Sequence, residues 1–444
     1  LEESRWRYSN FFLMYFLQGM VPGLFGACLM NYYIAHGFTV SMIGSFGAIV
    51  AIPWSLQFLW GPVVDSFRSS RMGARRFWQV IAYVACAASL ITMSLVIHDP
   101  IKQTSLLCGM LFAHSLFASL MDVSTDALMI DNVPEEERGR SSSAGRMGFV
   151  IGGALSTLLF APLLSNYGFS FSVSVLAAIW IVVGAVPILT REKKVDSLFT
   201  WARRAAPVGA VKSPASVKAF TKELAQALFT PTGLKLCALF FLVDFSLGAF
   251  GVGFGVDLIQ KYGWDEQNLT RVGGLLSLFG GTAVAFGIGW FSDKIGHFKA
   301  LKIFLITCAA LHVFFAILFA YGWDVELSPL MMVMQSLVPS FLFVAAVPAI
   351  MSLDKSPLAA TRFTLIMAAM NFGDVAGGAA AGTLLKIFPH VTFSLIIAAI
   401  FVGGAVILHK PTKKTRRALA PIGPLVPVVV THRPASRLGE KTPA

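Results

Sequence analysis

The 444 residues are 56% hydrophobic and only 13% charged, with a mean hydropathy of +0.72. Ordinary soluble domains carry about a quarter charged residues, so a soluble globular chain is excluded; the apolar residues fall in runs of about 20, the length a helix needs to cross a bilayer. The net charge of +12 could suit nucleic acid, but the basic residues gather in alternate loops, which marks membrane topology and not a binding face.

In chain order, the first half offers six spans at roughly 10–32, 40–62, 77–97, 105–130, 145–165 and 169–190. The second half offers six more at roughly 234–259, 271–292, 301–321, 328–351, 362–385 and 388–408. Strand alternation is absent, so a closed barrel is excluded and helices remain. The fold expected is an all-α integral membrane protein, with twelve transmembrane helices arranged as two pseudo-symmetric six-helix bundles. Residues 1–190 form the first bundle, 191–233 a cytoplasmic linker, 234–409 the second bundle and 410–444 a basic, disordered cytoplasmic tail. Within the linker, Val217, Phe220, Leu224 and Leu228 recur at helical spacing beside Lys218 and Lys222, as in a helix lying on the inner leaflet. The chain begins with Leu1 and not Met, so a few N-terminal residues are expected to be missing. The first apolar run is too long for a cleavable signal peptide.

Orientation follows from Lys and Arg. With the N-terminus inside, 29 of the 35 basic residues fall in inside segments; only Lys102, Lys261, Arg271 and Lys386 fall outside. Both termini are therefore expected in the cytoplasm. The five cysteines lie scattered in apolar runs without C-x-x-C spacing, which argues against a metal site or disulfide framework.

The halves repeat. Gly61-Pro-Val-Val-Asp65 follows the second span and Gly289-Trp-Phe-Ser-Asp293 the eighth. Arg68, Arg71, Arg75 and Arg76 trail the first motif; Lys294, Lys299 and Lys302 trail the second. Asp131 with Arg140 closes span four, and Asp354 with Arg362 closes span ten. Duplicated halves of this kind typify secondary transporters. A carboxylate at one helix end facing a cation from the next forms a conformational latch: Asp65 with Arg75 or Arg76, and Asp293 with Lys294 or Lys299. A weakly paired, solvated topology anchor is the plainer alternative.

With its trailing basic residues, the recurring G-x-x-x-D resembles the loop signature of the major facilitator superfamily. SLQFLWGPVVDSF (55–67) and DVSTDALMIDNVPEEERGR (122–140) resemble the muropeptide permease group and its relatives, the siderophore permeases and acetyl-coenzyme A transporters. The resemblance implies a proton-driven carrier of a bacterial inner (cytoplasmic) membrane that imports a mid-sized solute, such as a peptidoglycan-derived muropeptide, by alternating access. Muropeptide permeases carry a lysine just before an acid in span seven; here Asp244 matches the acid, and Phe241-Leu242-Val243 precedes it.

Charges inside spans cost a few kcal/mol each, so each asks for a partner, a wet cavity or a proton. Asp122 and Asp126 lie one turn apart on span four, Asp244 near the middle of span seven and Asp374 midway in span eleven, while Arg146 begins span five. These five are the candidate residues for proton coupling and the substrate cavity. For Asp126, a structural pair with Arg146 is equally open. Asp257, near the outer end of span seven, reads as a solvated cap, and Glu135–Glu137 as a solvated loop. Counting these acids against one arginine, the cavity leans negative and suits a cationic or neutral solute. Gln18, Asn31, Gln57, Gln335 and Asn371 are candidate cavity liners, although polar side chains also join helices. His114 and His312 read as packing residues before proton relays.

Gly145, Gly148, Gly152 and Gly153 in span five, with Gly373, Gly377, Gly378 and Gly382 in span eleven, allow close helix approach. Pro22, Pro53, Pro339 and Pro348 mark bends. There is no P-loop, no H-E-x-x-H, no nearby base for Ser141–Ser143 (which read as a helix start) and no histidine cluster, so neither catalytic residues, cofactor nor metal is expected. The expected partners are a small solute, protons and the lipid bilayer, without nucleic acid, and the chain is expected to act as a monomer. The alternatives are a siderophore or other small-molecule permease of this fold, or a transport-incompetent sensor or assembly factor.

Overall fold

The computed structural model describes residues 1–66, 70–134, 137–202, 231–281, 294–351 and 359–408, with 283 and 291. Its helices are α1 (Ser4–Ala35), α2 (Val40–Leu59), α3 (Arg76–Val96), α4 (Thr104–Asn132), α5 (Arg138–Tyr167) and α6 (Phe169–Leu189) in the first half. The second half has α7 (Pro231–Gln260), α8 (Glu266–Leu275), α9 (His297–Ala320), α10 (Asp324–Met351), α11 (Ala359–Ile387) and α12 (His390–Ile407). Nine helices among the described residues are long and apolar enough to cross a membrane. α5 starts at Arg138, so Ser141–Ser143 sit inside its first turns and do not begin it. The bend expected at Pro22 is a π-helical stretch, Pro22–Cys28, because proline lacks the N–H that would continue the α-helical ladder.

Each half buries its own apolar core, one centred on Trp180, Tyr33 and Leu90, the other on Phe254, Phe315 and Phe401. The frame inside each core repeats residue for residue. On α1, Phe12 and Phe16 offer their carbonyl oxygens to the faces of Gly148 and Gly152 on α5. On α7, Phe241 and Phe245 do the same for Gly373 and Gly377 on α11. Gly19 against Phe149 is matched by Gly248 against Asp374. A Cβ at any of these six glycines would run into backbone, so only glycine lets the helices approach to Cα–H···O distance. Phe12–Phe16 and Phe241–Phe245 are stacked pairs, with centroids 6.2 and 6.1 Å apart. After α1 and α7 the chain turns at Gly37 and Gly263, whose φ of 85° and 73° favours glycine.

At the end that the charge pattern assigns to the cytoplasm, the first half is tied by ion pairs beyond those expected from sequence. Arg75 pairs with Asp131 at 2.8 Å, joining α3 to α4. Glu137 is not solvated: it bonds Arg7 at 2.6 Å and Tyr8 at 3.1 Å. The buried Arg76 donates to the carbonyls of Ile188, Thr190 and Leu198. Glu192 accepts from the Arg75 and Arg76 amides at 3.2 and 3.3 Å, capping the start of α3. Residues 191–202 thus fold back as a strap, held also by Ser197 N to Arg71 O at 2.9 Å and Arg71 N to Ala202 O at 3.0 Å. The Asp65 side chain, Gly289, Asp293, the 354–362 stretch, the amphipathic 216–229 stretch and the 410–444 tail lie outside the described residues or side chains. Gly61 is described and faces open space.

The opposite end, which the charge pattern assigns to the outside, is where the halves meet. Asn31 donates to Thr270 Oγ1 at 2.7 Å, and Gln260 donates to the carbonyls of Ile34 and Phe38 at 2.8 and 3.0 Å. Gly382 lies against Ser41, and Gly274 against Thr157. On the second half's outer rim, Asp257 binds His390 at 2.6 Å and is not a solvated cap. Lys261 binds Asp324 at 2.6 Å and holds that carboxyl below its usual pKa.

Candidate functional site

A cavity of about 390 Å³ lies between the halves. Its wall comes from α1, α5, α8 and α10, and its polar lining includes Asn31, Arg146, Thr157, Thr270, Gln335 and Ser336. Arg146 is its one charged side chain among the described residues, with the guanidinium 5.6 Å over the Phe149 ring. Among the described residues the lining is therefore locally cationic, not negative as the count of acids suggested: none of the four acids is part of it. Of the five amide liners expected, Asn31 and Gln335 line it, whereas Gln18, Gln57 and Asn371 do not. Gln57 instead lies in a 3₁₀ turn with a buried, unpartnered Oε1, and Gln18 stands beside Asp122.

The acids form two sets. In the first half, Asp122 and Asp126 lie on α4, and Asp126 accepts the hydroxyl of Tyr15 from α1. The Tyr15 ring rests on Gly145 of α5, so α1, α4 and α5 converge there. Asp126 is exposed and Asp122 half-buried. In the second half, Asp374 of α11 is drawn close to α7 because Gly248 has no side chain, with Oδ1 only 2.8 Å from where a Cβ would stand. It is near enough to act electrostatically on Asp244, whose own Oδ2 is buried without a partner. Asp374 is exposed and Asp244 half-buried. Each half thus holds one open and one sheltered carboxylate.

Tyr15 was missed from sequence. The signal was present: FFLMYFLQG (11–19) aligns with FFLVDFSLG (240–248), and GFVIGGA (148–154) with GDVAGGA (373–379). That alignment puts Tyr15 where the second half has Asp244, Arg146 where it has Asn371, and Phe149 where it has Asp374. The frame is duplicated while its chemistry is not.

His114 and His312 each have a tautomer fixed by a hydrogen bond at Nδ1. Ser89 gives its hydroxyl to Cys86 O, so His114 Nδ1 must donate to Ser89 Oγ, 2.6 Å away. His312 Nδ1 faces Cys308 O at 2.8 Å and must donate as well. No group of three or more metal-ligating side chains occurs among the described residues.

The Major Facilitator Superfamily model matches residues 8–354. The chain belongs to the major facilitator superfamily. Among its relatives is the anhydromuropeptide permease of Escherichia coli (strain K12), 23% identical over 405 residues, covering 88% of this chain and 77% of that one. An uncharacterized protein of Haemophilus influenzae is 26% identical over 275 residues, 60% of each chain. Among solved structures, the nucleoside transporter NupG superposes with a TM-score of 0.61 at 16% identity, covering 90% of this chain and 98% of its own. A POT family transporter solved with 5-aminolevulinic acid gives 0.63 at 12%, covering 91% and 95%. The structural likenesses show the fold, and the family makes the chain a multi-pass membrane transporter.

Proposed function

We propose that this superfamily member is a proton-coupled importer of peptidoglycan-derived muropeptides in a bacterial inner membrane, working by alternating access with both termini in the cytoplasm. The observation that carries the reading is the cavity between the halves, with Arg146 in its wall, in a molecule that holds a carboxylate pair in each half. A muropeptide offers sugar hydroxyls, amides and carboxylates. Asn31, Thr270, Gln335 and Ser336 suit the first two, and Arg146 suits a carboxylate. Asp244 and Asp374 are the proposed proton site and Asp122 and Asp126 the site that links solute to Arg146 and Tyr15. The outer-end contacts through Asn31–Thr270 and Gln260 correspond to a state closed to the outside. The muropeptide permease relative supports the solute class and the inner-membrane location. Arg75 with Asp131 serves as the latch at the inner end of the first half, with Arg76 and its strap beside it. The molecule acts as a monomer.

The test is uptake of labelled anhydromuropeptide into proteoliposomes holding the purified full-length protein. An inward proton gradient should drive accumulation that excess unlabelled muropeptide blocks and a protonophore abolishes. Gradient-driven accumulation of other solutes, with none of muropeptide, would contradict the solute assignment.

A further inference from the structure

A second, smaller cavity of about 40 Å³ lies inside the second half, behind the solute cavity, lined by Leu247 and Gly251 of α7, His312 of α9, and Gln335 and Pro339 of α10. Three features of its wall are polar. First, the His312 side chain is fully buried, and because Nδ1–H is committed to the Cys308 carbonyl, Nε2 is left as an acceptor with no partner. Second, Pro339 has no N–H, so the carbonyl four residues earlier, that of Gln335, loses its helical donor. Third, the Gln335 amide donates to Gly251 O at 2.7 Å, leaving Oε1 as a further acceptor. The wall therefore offers acceptors to this space.

We propose that this cavity is a binding site for a single water molecule. It would donate one hydrogen to His312 Nε2 and the other to the Gln335 main-chain carbonyl. A buried water needs two to four polar partners and about 10–15 Å³ of cavity, and this site provides both. An unpaired acceptor at membrane depth is costly, so one water, giving one O–H to each of two orphaned acceptors, removes two penalties together. The water ties α9 to the turn of α10 that Pro339 opens. Gln335 also lines the solute cavity, so the bridge sits directly behind a residue facing the solute. The pairing makes His312 a positioning residue for α10, a role its apolar surroundings hide.

High-resolution maps of the full-length protein in lipid nanodiscs test this, comparing wild type with His312→Phe and Pro339→Ala. The phenyl ring keeps the shape but removes the acceptor, while alanine returns a helical N–H to Gln335. Wild type should show one density peak within hydrogen-bonding distance of both His312 Nε2 and Gln335 O. His312→Phe should lose it, and Pro339→Ala should lose it independently if the phenylalanine variant does not fold. A dry wild-type cavity in a map that resolves other buried waters, an acyl chain filling the space, or a peak that survives in His312→Phe would each overturn the assignment.

Discussion

Tyr15 and Asp244 occupy the same position in the two repeats, yet one is a phenol that serves a neighbouring acid and the other is itself an acid. That exchange makes this position a point where the two repeats differ in chemistry. A hydrogen bond to a charged group contributes about 1.5–3 kcal/mol, and 1.4 kcal/mol is tenfold in a rate or constant. Tyr15→Phe keeps the ring on Gly145 and removes only the donor to Asp126. Its solute uptake should fall about tenfold or more, with the melting temperature in detergent little changed. Wild-type uptake would make Tyr15 a packing residue. Individual charges were legible in sequence, because an acid inside an apolar run stands out. Their partners were not: Asp126 meets Tyr15, Arg75 meets Asp131 and Asp257 meets His390, across 111, 56 and 133 residues. Only the tertiary arrangement of helices brings such pairs together.

The helices α1, α5, α7 and α11 carry the frame. Gly152 on α5 and Gly377 on α11 hold equivalent places against the carbonyls of Phe16 and Phe245. Ordinary overpacking costs about 1–3 kcal/mol, and a side chain driven into backbone, which cannot rotate away, costs more. Gly152→Leu and Gly377→Leu should therefore lower the melting temperature of the solubilised protein alike. Gly109→Leu, where a Cβ meets open space, should leave it unchanged. If only one of the two fell, the repeat would be a likeness of sequence without equal mechanical load. The glycine runs were visible as close-packing signals in the sequence, and the apolar runs as spans. The strap over residues 191–202 was hidden, since its order comes from Glu192 capping α3 and Arg76 gathering carbonyls, neither of which has a local pattern.

At the scale of the whole molecule, the two halves touch through polar contacts at the outer end and enclose the cavity between them. If they rock about that cavity, the contact Asn31–Thr270 must break in each cycle. Asn31→Cys paired with Thr270→Cys should cross-link under oxidation and halt uptake, and reductant should restore it. Continued uptake by the cross-linked protein would rule out opening at this end. In the proposed mechanism, accumulation against a gradient draws on protons bound at Asp244 and Asp374, whereas movement of solute alone does not. The direct measurement compares pH-gradient-driven accumulation with solute counterflow at equal pH, in proteoliposomes of wild type, Asp244→Asn and Asp374→Asn. If Asp244 and Asp374 hold the coupled proton, both variants should keep counterflow while gradient-driven accumulation falls to the level of the gradient-free control. Accumulation preserved in both variants would contradict it.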